Sequence, residues 1–249
     1  MLTGLQIRFL ETLFRGGPDC CSGCAYQGRS KLEVLLGAEF FTRIAGKVVI
    51  DFGCGRGDGA VEMAARGAQR VIGIDIREDA LQAARHKARH AGVHNTCLFV
   101  TSTKELADVV VTVDAFEHFA DPAEILRIMD TVLRPAGEVL VSFGPTWYHP
   151  LGGHLFSVFP WAHLIFSQDA LIAWRSEFKD DGAMRFSEVA GGLNQITIAK
   201  FEKFVAASPL AFAALELVPI NKLRYFHNRF TREFTTAVVR CRLVKRTQR

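Results

Sequence analysis

The chain has 249 residues, of which 49% are hydrophobic and 22% are charged, and this composition excludes general disorder. A chain of this length fits one large α/β domain. The formal net charge is +4, and part of the excess lies in a tail without acidic residues. We interpret the tail as a solvated end and expect no nucleic-acid partner, because no basic stripe with interleaved aromatic residues extends from it. Its basic residues are Arg240, Arg242, Lys245, Arg246 and Arg249.

Targeting and cysteine patterns favour a cytoplasmic protein without stable membrane insertion. The N-terminal stretch has charged residues within its apolar part and no cleavage site of small residues, so we expect no signal peptide. The most apolar stretch, residues 155–166, is shorter than the roughly 20 residues that a membrane span needs. Cys20, Cys21 and Cys24 include a CxxC pair, but a closed zinc site usually needs a second pair. We therefore expect no metal there and leave the role of these thiols open.

Strands and helices are expected to alternate along the chain. Residues 1–46 are predicted to be helices and loops, and a strand–helix rhythm begins at residue 47. Such a rhythm, with strands that are nearly continuous Val, Ile and Leu runs, is typical of a parallel sheet covered on both faces. The predicted strands are 47–51, 70–75, 96–100, 107–115, 137–144, 214–220 and 234–244, and the predicted helices are 60–67, 77–92, 121–137 and 197–208.

The strongest functional signal is the stretch VVIDFGCGRGDG, residues 48–59. A strand ends at Asp51, and Gly53, Gly55 and Gly57 then form a tight turn into a helix. Glycines let backbone amides approach a ligand closely, and the start of a helix favours acidic groups. Asp75 ends the next strand, at the distance where a Rossmann-type domain places an acid that binds ribose hydroxyls. A nucleotide-type ligand is therefore predicted at this edge of the sheet.

The segment DFGCGRG resembles motif I of the class I S-adenosylmethionine-dependent methyltransferases, and the resemblance covers roughly residues 45–145. It implies a Rossmann-like doubly wound α/β sheet, mostly parallel with a reversed edge strand, and S-adenosylmethionine as the cofactor. It also implies that Asp51 and the glycines hold the methionine part, and that Asp75 holds the ribose. Many relatives place an acid after the third strand to hold the adenine, whereas this chain has Thr101, Ser102 and Thr103. The predicted cofactor-binding residues are Asp51, Gly53, Cys54, Gly55, Gly57, Asp75, Ile76, Ser102, Asp114 and Phe116.

The fourth strand leads into DAFEHFADP, which resembles the equivalent segment of small-molecule and lipid methyltransferases. Relatives that make cyclopropane rings carry a similar FEH segment, in which the Glu and the His help to position a bicarbonate base. An imidazole with a pKa near 6.5 suits an acceptor hydroxyl, so His118, His154 and His149, in that order, are candidate general bases. The alternative is that His118 caps a helix or packs over the cofactor without titrating.

An aromatic-rich insertion, residues 145–195, follows the fifth strand and is expected to form a lid and a substrate pocket. The alternatives are a hydrophobic subdomain or a dimer surface, and a homo-oligomer stays open. His149, His154 and His163 lack the carboxylate spacing of a metal site, so no metal is expected. Arg175 and Arg185 could grip an acidic substrate group or form ordinary salt bridges. The predicted substrate-binding residues are Glu117, Trp147, Tyr148 and Trp161.

These features together predict a single methyltransferase domain acting on a small or medium-sized, hydrophobic or ring-bearing molecule. Its parts are an N-terminal helical segment (1–46), a cofactor-binding core (47–144), a lid and substrate insertion (145–195), and a closing helix with edge strands (196–249). The alternatives are an aminopropyl transferase or a cyclopropane synthase on the same fold, a non-catalytic module that binds the cofactor, and a nicotinamide oxidoreductase. A nucleic-acid methyltransferase is disfavoured, because no Asn-Pro-Pro-aromatic motif follows the fourth strand.

Overall fold

A computed structural model describes residues 2–13, 28–156, 159–177, 184–188 and 192–246. Cys20, Cys21 and Cys24 lie outside the described residues, so the structure says nothing of their role. Within these ranges, no helix has the length and apolar character needed to cross a membrane.

Seven strands form one sheet in the order β3-β2-β1-β4-β5-β7-β6. The first five strands run parallel to one another, as the near-continuous apolar runs predict. The strand β1 is central, and its neighbouring residues Val49 and Ile50 belong to the apolar cores on opposite faces of the sheet. The strands are β1 (Val48–Phe52), β2 (Arg70–Ile74), β3 (Cys97–Val100), β4 (Ala107–Val113), β5 (Leu133–Phe143), β6 (Leu210–Pro219) and β7 (Thr236–Lys245).

The predicted mostly parallel sheet with a reversed strand is confirmed, and the structure identifies the reversed strand as β7. It pairs antiparallel with β5 on one side and with β6 on the other, one place in from the edge. Consequently β6 runs in the same direction as β5. The segment that follows β6 therefore emerges at the edge where the carboxyl ends of the parallel strands lie.

Ten α-helices lie within the described residues. The helices expected at 60–67, 77–92 and 197–208 are each found within two residues of those bounds, whereas the sixth helix, expected at 121–137, is shorter. That helix was expected to reach residue 137, but it ends at Thr131, because Leu133 already pairs with Ala107 in the sheet. Asp121 caps its start as predicted, accepting from the amides of Ala123 and Glu124. The helices are α1 (Leu2–Leu13), α2 (Lys31–Leu36), α3 (Phe40–Ile44), α4 (Asp58–Ala65), α5 (Glu78–His90), α6 (Pro122–Thr131), α7 (Ala162–Ile165), α8 (Gln168–Ser176), α9 (Ile198–Ala207) and α10 (Arg232–Thr235).

A third apolar core lies apart from the two that cover the sheet. It joins Leu10 of α1 to Leu171 and Trp174 of α8 and to Phe156 and Phe186 of the insertion. The N-terminal segment is thus divided, because α2 and α3 contribute to a core on the sheet while α1 packs with the insertion. We call the insertion together with α1 the lid region.

Candidate active site

The glycine turn after β1 is held by its own backbone and by the end of β2. The amides of Gly53 and Cys54 both donate to the carbonyl of Ile74, and all three glycines have positive φ angles. A Cβ on Gly53 would lie 2.7 Å from the Cβ of Ala115, and one on Gly57 would lie 2.6 Å from the Cβ of Ala84. A Cβ on Gly55 would meet only the guanidinium of Arg77, at 3.7 Å. Gly55 therefore faces the open side of the turn, where a ligand can approach.

Two buried carboxyl groups flank this turn. Asp75 accepts from the amide of Gly55 at 2.8 Å and from the amide of Arg77 at 3.0 Å, so it fixes the turn against the end of β2. Burial and, to a smaller extent, the nearby charge of Asp75 raise the pKa of Asp51 to about 7, although Lys31 acts to lower it. Two acids this close together form a site for a ligand with a cationic group.

These residues fit the predicted cofactor. The cationic amino group of S-adenosylmethionine suits the acidic pair. Its ribose hydroxyls suit the carboxylate of Asp75 at the end of β2. The open face of Gly55 leaves room for the cofactor between these groups. The side chain of Arg77 contacts Asp75 at 3.3 Å but is more than half exposed, so it can yield one carboxylate oxygen. Asp51, Asp75 and Gly55 are therefore the groups of this chain that would hold the cofactor.

The remaining predicted cofactor residues differ in what they present. Ile76 is 90% exposed directly beyond Asp75, an apolar side chain left in water where a flat ring could cover it. Ser102 is exposed beyond β3, and its adenine contact stays a prediction. Asp114 ends β4 with a positive φ and pairs with Lys31 at 2.7 Å, so the N-terminal segment reaches the site.

Two further predicted cofactor residues, Phe116 and Cys54, direct their side chains toward other parts of the protein. Phe116 is fully buried and packs against Phe143 and Phe201, because the turn after β4 directs its ring into the core. The backbone amide of Cys54 donates to the carbonyl of Ile74, and its sulfur points toward Gly73 of β2. The contact of these two residues with the cofactor stays a prediction.

A small cavity lies beyond the turn, between the end of β4 and the lid region. Its volume is about 10 Å³, close to the space that one water molecule needs. Burial raises the pKa of Glu117 to about 8, and the charge of Asp114 adds to the effect. One carboxyl oxygen of Glu117 has no hydrogen-bond partner among the described residues. The lining residues are Glu117, Pro145, Trp147, Gly152, His154, Leu193, Gln195 and Ile196.

The structure brings two of the three candidate histidines together. The rings of His118 and His154 are 5.5 Å apart, and Nδ1 of His118 lies 2.5 Å from the carbonyl oxygen of Gly192. His154 lines the cavity, where burial lowers its pKa to about 4. His149 does not line the cavity, and its Nδ1 accepts from the amide of Leu151. Burial lowers the pKa of His149 to about 4 as well, so neither residue is a strong base.

The predicted substrate-binding aromatic residues separate into two places. Trp147 lines the cavity and packs against His163 and Phe186. Tyr148 lies outside the cavity, with its ring 5.4 Å from that of Phe234, and its carbonyl accepts from the indole of Trp161. Tyr148 and Trp161 are therefore at the rim, while Glu117 and Trp147 form the wall.

Asn194 is a site residue that the sequence alone did not indicate. Its side-chain amide donates to the carbonyls of Phe116 and Phe119, and its own backbone amide donates to the carbonyl of Glu117. These bonds join the far end of the insertion to the turn that presents Glu117. A lone Asn in a non-periodic stretch carries no sequence pattern that would reveal such a role.

Residues 44–146 match a family model described as "Methyltransferase domain". The chain is 40% identical to the ubiquinone biosynthesis O-methyltransferase of Acinetobacter baumannii over 106 residues. This aligned stretch covers 40% of this chain and 44% of that protein. The chain is 39% identical to the ubiquinone biosynthesis O-methyltransferase of Stutzerimonas stutzeri over 105 residues, and the aligned stretch covers 40% of this chain and 45% of that protein. The chain contains a class I methyltransferase domain. The predicted methyltransferase domain is confirmed over residues 44–146, and S-adenosylmethionine is the cofactor that the predicted family implies.

The methyltransferase domain spans less than half the length of these curated relatives. Among solved structures, an S-adenosylmethionine dependent methyltransferase from Mesorhizobium loti aligns with a TM-score of 0.52 and 17% identity, over 82% of this chain and 92% of that one. The YcgJ protein from Bacillus subtilis aligns with a TM-score of 0.53 and 15% identity, over 85% and 98% of the two chains. At such low identity these likenesses establish the fold alone, which extends beyond the matched methyltransferase region.

Proposed function

We propose that this chain transfers a methyl group from S-adenosylmethionine to a hydroxyl of a small or medium-sized, hydrophobic or ring-bearing organic molecule. The observation that carries the proposal is the cavity beside the glycine turn, in which a buried carboxyl and an imidazole lie among apolar walls. Sites for small organic ligands have this composition, mostly apolar with a few convergent polar groups. The naming of the curated relatives as O-methyltransferases supports a hydroxyl as the acceptor group.

Residues 47–144 hold the cofactor and residues 145–195 cover the acceptor in this proposal. The bound cofactor supplies an activated methyl group on a sulfonium, so the protein mainly has to orient the acceptor and exclude water. Such positioning can contribute on the order of 7–11 kcal/mol. The wall formed by Trp147, Leu193 and Ile196 is apolar enough to exclude water from the site.

Glu117 is the group best placed to take the acceptor proton. It lines the cavity, and its carboxylate, with a pKa of about 8, is a stronger base than the imidazole of His154, with a pKa of about 4. His118 is exposed and does not line the cavity, so we assign it a positioning role beside His154. Because only the ionised carboxylate accepts a proton, kcat/KM should rise as the pH increases through about 8, since this ratio reports the pKa of the free protein. Glu117→Gln should remove this rise.

The decisive experiment is calorimetric titration of the protein with S-adenosylmethionine and its demethylated product, with NAD as a control. Both sulfur compounds should bind and NAD should not, and Asp75→Ala should weaken binding at least tenfold through loss of a charge-assisted bond. Asp79→Ala, on the first turn of α5, is the matched control and should bind normally. Binding of NAD alone would overturn the assignment.

Incubation of cell extracts with a labelled methyl donor then tests the reaction itself. A product that carries one labelled methyl group on oxygen would support the proposal. An aminopropyl group or a cyclopropane ring in the product would instead assign the chain to another reaction that uses the same cofactor.

A further inference from the structure

The segment between β6 and β7, residues 220–235, lies at the functional edge of the sheet. Because β6 runs parallel to β5, this segment follows the carboxyl end of β6, the edge that also carries the glycine turn and the cavity. Its two ends are joined by a hydrogen bond from the amide of Ile220 to the carbonyl of Thr235, at 2.8 Å. We call it the β6–β7 segment.

The β6–β7 segment exposes four aromatic side chains. Tyr225 is 83% exposed, Phe226 67%, Phe230 77% and Phe234 43%. Single exposed apolar residues are ordinary, but a contiguous group of this kind marks an interaction surface.

An ordered backbone holds these rings in the open. The side-chain oxygen of Asn228 accepts from the amides of Phe230 and Thr231, and its amide group donates to the carbonyl of Phe226. The exposure is therefore a property of the folded segment.

Basic residues alternate with these rings. Lys222, Arg224 and Arg229 are exposed, and within the part of the chain that the structure describes none of them has a carboxylate partner. The two nearby acids are occupied, since Glu233 accepts from two amides at the start of α9 and Glu202 pairs with Arg232. The surface is thus both apolar and positively charged.

We propose that the β6–β7 segment docks this protein onto an anionic lipid surface. Aromatic side chains are favoured at the boundary between headgroups and acyl chains, and Lys and Arg side chains without a carboxylate partner attract anionic headgroups.

A second copy of the chain is a poorer partner, because like charges would face each other across the contact. A single-stranded nucleic acid is also disfavoured, because base stacking needs uncovered ring faces. The guanidinium of Arg224 lies 4.7 Å from the ring centre of Tyr225, and that of Arg229 lies 4.4 Å from that of Phe230.

The docking surface is continuous with the acceptor site. The ring of Phe234 lies 5.4 Å from that of Tyr148, and the preceding residue, Trp147, lines the cavity. A lipid surface that contacts the segment would therefore lie beside the rim of the cavity.

The test is flotation of the purified chain with vesicles of phosphatidylcholine alone or mixed with phosphatidylglycerol. The chain should float with the mixed vesicles and not with the neutral ones, and added salt should release it. The triple variant Lys222→Gln, Arg224→Gln and Arg229→Gln should bind roughly 100-fold more weakly, since three attractive charges are lost. The double variant Phe226→Ser and Phe230→Ser should bind roughly tenfold more weakly at constant charge.

The matched control is Lys104→Gln with Leu106→Ser, a basic and an apolar residue that are also exposed. Leu106 precedes β4 and so lies at the opposite edge of the sheet, and this variant should float like the parent chain. All variants should still bind S-adenosylmethionine, which separates loss of docking from loss of folding or of the cofactor site. Equal flotation with neutral vesicles, unchanged flotation of both segment variants, or a patch-dependent shift of single-stranded RNA without flotation would overturn the proposal.

Discussion

Gly55 and Gly57 both have a positive φ, yet they face different surroundings. A Cβ at Gly57 would lie 2.6 Å from Ala84 and 3.1 Å from the ring of Phe99, whereas a Cβ at Gly55 would meet only the flexible side chain of Arg77, at an ordinary contact distance of 3.7 Å. Gly57→Ala should therefore destabilise the fold by about 2–4 kcal/mol, combining overpacking with backbone strain. Gly55→Ala should cost only about 1–2 kcal/mol, from the strain alone.

The two glycine variants should also separate in their ligand binding. Because the added methyl group at Gly55 occupies the open side of the turn, Gly55→Ala should weaken S-adenosylmethionine binding more than its loss of stability explains. Urea unfolding and calorimetry on both variants check this. A Gly55→Ala protein with normal affinity would show that the cofactor does not approach this face.

Glu117 is a buried acid whose pKa of about 8 lies above the 4.5 of the same group in water. Because its pKa is raised, Glu117 binds its proton more tightly in the folded state than in the unfolded state. This contribution to the free energy of unfolding is complete below about pH 4.5 and is lost as the pH rises toward 8. One pKa unit corresponds to about 1.4 kcal/mol, so at pH 7 the cost is up to about 3 kcal/mol. Glu117→Gln should therefore be more stable than the parent chain at neutral pH.

Thermal unfolding at several pH values measures this effect. The stability difference between Glu117→Gln and the parent should be small in acid and grow up to about pH 8. Glu124→Gln, at an exposed residue paired with Arg127, is the control and should show no such growth. A Glu117→Gln protein that is less stable at every pH would contradict the assignment of burial as the cause of the raised pKa.

At the scale of elements, one asparagine connects the insertion to the turn after β4. Asn194→Ala removes two bonds to the carbonyls of Phe116 and Phe119 and one from the amide of Ile196. Each lost hydrogen bond costs about 1 kcal/mol, and the Phe116 carbonyl keeps the amide of Phe119 as a donor, so we expect a loss of about 2 kcal/mol. Because the turn presents Glu117, turnover should fall more than cofactor affinity.

Comparison with Asn95→Ala, an exposed asparagine before β3, isolates the effect of this connection. Urea unfolding, calorimetry with S-adenosylmethionine and turnover should be measured on both variants. Asn95→Ala should resemble the parent in all three. If Asn194→Ala lost affinity for the cofactor and turnover to the same extent, the cause would be a general loss of structure and not a displacement of the turn that presents Glu117.

The regular elements were predictable because each carries its own local signal. Apolar runs ending in Asp51 and Asp75 indicated buried parallel strands, and Asp121 with Pro122 indicated the start of α6. The end of α6 was placed too late, although Pro135 and Gly137 are themselves signals that a helix ends. The stretch 133–137 joins β5 because Leu133 finds a partner in β4, a contact between distant residues.

At the scale of the whole molecule, the lid region depends on a helix from the other end of the chain. Leu10 of α1 is fully buried against α8, whereas Leu5 on the same helix is 64% exposed. Leu10→Ala should destabilise this core by about 2–5 kcal/mol, and Leu5→Ala should have little effect. Amide hydrogen exchange should show the loss in α8 and not in β1 or β4, since the sheet has separate cores. Uniform loss of protection would mean that the lid region and the sheet unfold as one unit.

The two halves of the site differed in how far the sequence could predict them. The cofactor half lies at the ends of two neighbouring strands, so Gly55 and Asp75 could be proposed from spacing and Asp51 from the resemblance to motif I. The acceptor half is assembled from residues that only tertiary packing brings together, such as Glu117, His154 and Gln195. Tyr148 and Trp161, which were also predicted to bind the substrate, do not line the cavity, and their contact with an acceptor stays a prediction.

The small volume of the cavity has a kinetic consequence. A space of about 10 Å³ is too small for an organic ring, so in the proposed reaction the acceptor would bind to conformations in which the residues that line this space have moved apart. The observed dissociation constant is then the intrinsic constant divided by the fraction of molecules that are open. Association should accordingly be slower than diffusion allows and nearly independent of viscosity. Molecules too small to fill the opened space would gain too little contact to hold it open, so gating itself selects for larger acceptors.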